Sequence, residues 1–119
     1  MELKLIFWIF IIHFVADFLL KTDWQAKNKS SNWDALGYHV LVYSFAVSIL
    51  SIPFLSEVWQ FFALYTITGI CHLITDAITS RISKKYFDKQ DYHNGFVIVG
   101  MDQVFHYIQL FLTFNFILQ

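Results

Sequence analysis

Three aspartates and three histidines, set one helical turn apart inside otherwise apolar runs, constrain this chain more than any other feature. The pairs are His13 with Asp17, His72 with Asp76 and, in reverse order, Asp102 with His106. Residues i and i+4 lie one above the other on a helix face, so each pair presents an imidazole and a carboxylate in one direction. Three of the five histidines have such a partner, more than random scatter of these residues readily gives. Any fold the chain adopts must house these groups among apolar neighbours.

The apolar runs are residues 5–20, 35–55, 58–80 and 96–118. A helix needs about 20 residues to cross roughly 30 Å of hydrocarbon. The last three runs meet that length. The first meets it with residues 1–4 and with Lys21, whose stem can snorkel towards the headgroups. Composition decides between a membrane bundle and the core of a soluble one. The chain is 57% apolar and only 14% charged, against about a quarter charged in soluble domains. The 119 residues leave room for one domain. The expectation is an all-α, four-transmembrane-helix bundle formed by residues 1–119, with spans at about 3–21, 35–55, 58–80 and 96–118. No A-x-A-like cleavage site follows the first run, and it carries His13 and Asp17, so it reads as a retained span rather than a signal peptide. The lone Cys71 reads as a packing residue.

The connections carry their own signals. Thr22 and Gln25 have the spacing of a capping box, which predicts a short interfacial helix with Trp24 and Trp33 at headgroup level. Pro53 ends the second helix, and Ser56 with Glu57 suits the start of the third. Residues 81–95 read as the third connection, with Asp91 or Asn94 as N-cap. Lys21, Lys27, Lys29, Arg81, Lys84, Lys85 and Lys89 all fall in or beside the first and third connections, and Lys4 alone lies on the opposite side. The positive-inside rule then puts those two connections in the cytoplasm and both termini on the non-cytoplasmic side.

These limits set the depth of each polar group. Asp17, His39, Asp76 and Asp102 fall about one turn from the cytoplasmic ends of their helices, and His13, His72 and His106 one turn deeper. Four helices delivering polar groups at common depth is what one shared site requires. An ionisable group deep in a span costs about 2.5–3.5 kcal/mol on insertion scales, so such groups normally face a partner or a cavity. A single His–Asp pair would be accounted for by a polar helix–helix contact. Seven such groups at one level point instead to a metal site made of His13, Asp17, His39, His72, Asp76, Asp102 and His106. Imidazole with carboxylate suits zinc, iron or manganese better than calcium or magnesium. One divalent ion would leave ligands over, and two ions bridged by a carboxylate would use them all. A proton relay without metal could be built from the same groups. His93 reads as a solvated loop residue.

At these residues the chain resembles the small bacterial and phage membrane-protein family known as domain of unknown function 3307. The resemblance rests on His13 with Asp17-Phe18, then Gln25 and Lys27 or Lys29, His39, His72 with Asp76, and Asp102-Gln103 with His106. It covers nearly the whole chain. The glutamine often placed directly after the first motif is Lys21 here, with Gln25 nearby. The resemblance implies a multi-pass protein of the bacterial inner (cytoplasmic) membrane with these key positions, and brings no activity with it. A looser likeness, by analogy only, is to bacterial inner-membrane metal-dependent hydrolases with intramembrane His and Asp.

Three functions follow as expectations. The first is a metal-dependent hydrolase at the cytoplasmic leaflet, in which bound water of lowered pKa is the nucleophile. Asp17, Asp76 and Asp102 are its candidate catalytic carboxylates, as bridging ligands or as general acid or base. Its expected substrate is anionic, a phosphoester or lipid headgroup, attracted by helix N-termini and by the basic ring of Lys21, Lys27, Lys29 and Arg81. The family positions Gln25 and Gln103 join Lys21, Lys27 and Arg81 as candidate substrate contacts. The second is transport or relay of a metal ion or protons, which wants polar residues continuing outward, where residues 5–12 and 111–117 are apolar and aromatic. The third is a non-catalytic membrane adaptor with basic loops. The lipid bilayer is the expected partner, nucleic acid is not, and oligomerisation stays open.

Overall fold

The computed structural model describes residues 2–118. Helix α1 (Leu3–Phe14) continues without a break into a single π turn, Val15–Leu19. A short α2 (Asp23–Asn28) follows, then α3 (Trp33–Leu50), α4 (Val58–Asp88) and α5 (Tyr92–Ile117). No strand occurs among the described residues. The fold is all-α.

Side-chain chemistry fixes the helix starts. Thr22 and Gln25 close the expected capping box at α2. Asn32 caps α3 by accepting from the amides of Asp34 and Ala35. The Gln60 side chain reaches back to accept from the amides of Ser56 and Glu57 at the start of α4, at 2.7 and 3.0 Å. Asp91 caps α5, accepting from the Asn94 amide at 3.2 Å. Pro53 lies in a turn of 3₁₀-helix, Ile52–Phe54, just past the end of α3.

The third connection is far shorter than the polarity of residues 81–95 suggested. Helix α4 runs on to Asp88, and only residues 89–91 separate it from α5. Arg81, Lys84 and Lys85 are good helix formers, so their charge lowers the hydropathy of this stretch without ending the helix. Gln90, at φ 61°, supplies the left-handed residue that stops α4. Gly95 is required at this hairpin, because a Cβ there would sit 2.5 Å from the Phe87 ring.

Helices α1, α3, α4 and α5 pack antiparallel in sequence order, and α1 also lies against α5. Trp8 Nε1 donates to the Leu50 carbonyl at 2.8 Å, and Gln60 Nε2 to that of Ile117 at 3.1 Å, tying one end together. The interior has two storeys. At that end it is apolar, built from Ile9, Ile12, Val47, Leu64, Leu110 and Phe114 among others. At the other end, where α2 lies, it is polar. The exterior is the reverse of a soluble protein's: Phe62, Leu112 and Phe116 are 62%, 66% and 73% exposed, while His39, His72 and Asp76 are fully buried. Soluble monomers rarely carry apolar surface on this scale.

Three helices, α3, α4 and α5, are long and apolar enough to cross a membrane, which points to membrane association. Helix α1 has twelve residues and its π turn five more, short of the about 20 that a span needs.

Candidate metal centre

All seven candidate ligands are buried in the polar storey, none more than 5% exposed. They form one connected network, in which each has a ring nitrogen or carboxylate oxygen within 3.8 Å of another.

Asp17 comes from the π turn, where the Leu20 amide bonds the Val15 carbonyl five residues back at 3.1 Å. Such wide turns recur at functional sites because they reset the direction of the side chains around them. Here both Ala16 and Asp17 are buried. The Asp17 carboxylate reaches His13 Nε2 at 3.5 Å through Oδ2 and His39 Nε2 at 3.0 Å through Oδ1. From α4, Asp76 directs Oδ2 to His39 and His72, both at 3.4 Å, and Oδ1 to His106 at 3.2 Å. From α5, Asp102 Oδ1 meets His106 Nε2 at 3.1 Å and accepts from the Thr79 hydroxyl.

The decisive geometry is the convergence of four atoms. Asp17 Oδ1 and Asp76 Oδ2 each face both His39 Nε2 and His72 Nε2, with the two nitrogens only 3.0 Å apart and Asp17 Oδ1 3.8 Å from His72 Nε2. A tetrahedral ion with ligands at about 2.0–2.1 Å requires about 3.3–3.4 Å between ligand atoms. The five measured separations run from 3.0 to 3.8 Å. Asp17 Oδ1 has no hydrogen bond among the described residues despite being buried, and the same is true of Nδ1 of His39 and His72. Both rings thus turn Nε2 to the shared point. Asp17, His39 and His72 could hold a metal ion; so could His72, Asp76 and His106, or Asp17, Asp102 and His106. Asp76 faces two of these groupings with different oxygens.

Surrounding side chains hold the rings. Tyr43 stacks on His72 with centroids 3.8 Å apart, and His72 stacks on His106 at 4.1 Å. The Tyr43 hydroxyl bonds His13 Nδ1 at 2.9 Å. Gln103 lies 2.7 Å from His13 Nε2 through Oε1, and its Nε2 donates to Asp102 at 3.1 Å. Lys29, at the end of α2, donates to Asp76 Oδ2 at 3.1 Å. Burial alone would lower the Lys29 pKa, but the carboxylates of Asp76, Asp17 and Asp102 outweigh it and raise it above the ordinary lysine value.

The residues expected around the mouth divide. Lys21 and Gln103 line a cavity beside the network. Lys27 is exposed, Gln25 is committed to its capping box, and Arg81 stacks on Trp33 at 4.2 Å. His93 is exposed in the first turn of α5. The sequence pattern did not single out Tyr43 or Thr79. Tyr43 lies four residues after His39, on the same face, and Thr79 three after Asp76, so helical spacing held the signal for both. The pairing of Lys29 with Asp76, 47 residues away, had none.

Residues 5–119 match the family described as "Protein of unknown function (DUF3307)". The chain belongs to that family. No curated protein and no solved structure matches it. In this member of DUF3307, the histidine and aspartate positions that carry the resemblance all belong to the single buried network above.

Proposed function

We propose that this chain is a multi-pass protein of the bacterial inner membrane that crosses the bilayer four times, with both termini outside, and acts as a metal-dependent hydrolase. One observation carries the reading: carboxylate oxygens from the π turn and α4 flank two imidazole nitrogens from α3 and α4 at 3.0–3.8 Å in a buried site. Buried acceptors crowd together at a cost unless a cation is shared among them. Zinc, manganese or iron suits this mixture of nitrogen and oxygen, and the His106–Asp102 side, joined through Asp76 Oδ1, offers a second position. Such an ion supplies a water of lowered pKa. The chain's own part is to hold His39 and His72 rigidly, through the Tyr43 stack, and to keep a carboxylate of the network free to accept a proton.

Topology rests on the lysines and Arg81 gathered at the α2 end, and on the apolar exterior. Helix α1 with its π turn joins the spanning set because Phe7, Ile11, Phe14 and Leu19 are exposed along their length. A one-sided site is favoured over a transport path by the apolar packing of Ile9, Ile12, Leu64, Leu110 and Phe114, which closes the bundle beyond the histidines.

Metal content of the purified protein, wild type beside Asp76→Asn and His72→Ala, tests the centre. Stoichiometric zinc, manganese or iron in the wild type, lost in folded variants, is the expected result. Folded wild type, purified without chelator and free of metal, would overturn it. Hydrolysis of a chromogenic phosphoester by loaded protein, absent in Asp76→Asn, tests the activity and separates it from an adaptor role.

A further inference from the structure

A cavity of about 310 Å³ opens at the α2 end, beside the metal-ligand network and sharing only Asp102 with it. This is near the lower limit of small-ligand sites, about 300–1,000 Å³. Lys21, Lys29 and Lys84 line it together with Ser30, Ser80 and Ser83. Lys84 pairs with Asp88 and Lys29 with Asp76. Lys21 makes no ion pair among the described residues. Ser80 is 7% exposed, and its hydroxyl has no hydrogen-bond partner among the described residues. A buried hydroxyl left without a partner is costly, so a ligand that engages it recovers that cost.

The donor excess is specific in sign. Asp102 is the one carboxylate on the wall, and its oxygens are committed, Oδ1 to Thr79 and His106 and Oδ2 to Gln103. The Ser83 hydroxyl already donates to the Ser80 carbonyl, which leaves the Lys21 ammonium and the Ser80 hydroxyl as donors for a compact anion with several oxygens, the geometry in which charge-assisted hydrogen bonds are strongest. Phe18, Phe87 and Val99 supply apolar wall beside the donors, suited to a short carbon skeleton carrying that anion.

We propose that this cavity binds the phosphate group of a phosphomonoester, with Lys21 as its principal cation and the Ser80 hydroxyl as a buried donor. It rests on the hydrolase reading for what happens to the phosphate afterwards, but the binding itself requires no metal ion. Lys29 links the two sites, lining the cavity while donating to Asp76, so a cation held at Asp76 would free its ammonium group for the cavity.

The test is titration of inorganic phosphate into chelator-treated protein in micelles, followed by calorimetry. Saturable binding is expected, weakened at least tenfold by Lys21→Gln and by Ser80→Ala and unchanged by Lys85→Gln, which alters an exposed residue outside the cavity. Lys21 is only partly buried, so Lys21→Gln alone decides the question if Ser80→Ala does not fold. Phosphate that binds only after zinc is added, indifferent to Lys21→Gln, overturns this site and leaves the metal centre standing. Lys21-dependent phosphate binding in a protein that takes up no metal does the reverse. No saturable binding in either condition also overturns the site. Two competitors identify the source: phosphatidate in nanodiscs for a lipid headgroup, glycerol phosphate for a soluble ester. Displacement of phosphate by either supports the proposal, and displacement by neither refutes it.

Discussion

Lys29→Met separates a metal centre from a self-sufficient ionic network, because the two give opposite signs. In the structure the Lys29 ammonium lies 3.1 Å from Asp76 Oδ2 with 17% of the side chain exposed. If the network needs no ion, Lys29 is its one permanent positive charge, and its loss leaves Asp76 short of a partner. Removing one member of a buried pair costs about 3–5 kcal/mol, and the partial exposure of Lys29 places this variant near the lower bound. If a divalent ion occupies the site, Lys29 instead repels it. A double and a unit positive charge about 5 Å apart repel by roughly 7 kcal/mol at an effective dielectric of about 20. Lys29 relieves part of that by swinging towards water, so about ten- to hundredfold tighter metal binding is expected. The assay is thermal unfolding in micelles, with chelator and with saturating zinc, beside a zinc titration against a competing chelator. The variant should melt below wild type in chelator and recover fully in zinc. A loss of stability that is the same in both conditions, with zinc affinity unimproved, would rule out an ion at Asp76.

Other perturbations read other parts of the molecule. Tyr43→Phe removes the hydroxyl bonded to His13 but keeps the ring stacked on His72; it should cost about 1 kcal/mol in unfolding free energy and leave metal content intact. Tyr43→Ala removes the stack as well and should lower metal affinity by tenfold or more, measured by competition with a chelator. Gly95→Ala drives a methyl group into Phe87 and should destabilise by about 1–3 kcal/mol, with Phe87→Leu restoring the melting temperature in the double variant. Single cysteines placed near the termini in a Cys71→Ser background should react with an impermeant thiol reagent from outside intact cells, and cysteines in α2 should not; the opposite labelling would reverse the topology.

Much of this structure could be read from spacing, and the exceptions have physical causes. Asp17, Asp76 and Asp102 announce themselves because a carboxylate inside an apolar run is costly and must have a purpose. The Thr22–Gln25 box and the Asp91 cap are local, so sequence carries them whole. The end of α4 escapes hydropathy because its last two turns become polar without ceasing to be helical, and hydropathy responds only to the first change. The π turn at Val15–Leu19 leaves no mark in the sequence, because the partners of its Asp17, His39 and His72, come later in the chain. Lys29 on Asp76 is a contact of tertiary structure alone.

The brevity of α1 bears on how the protein is made. On the proposed topology, Asp17 and His13 weigh against this first segment settling in lipid unaided, because ionisable groups inside a span are costly without partners. Its partners, His39, His72 and Gln103, belong to stretches synthesised afterwards. The earliest part of the nascent chain should therefore linger at the insertion machinery until the last helix emerges, so that entry into the bilayer and completion of the centre become a single event.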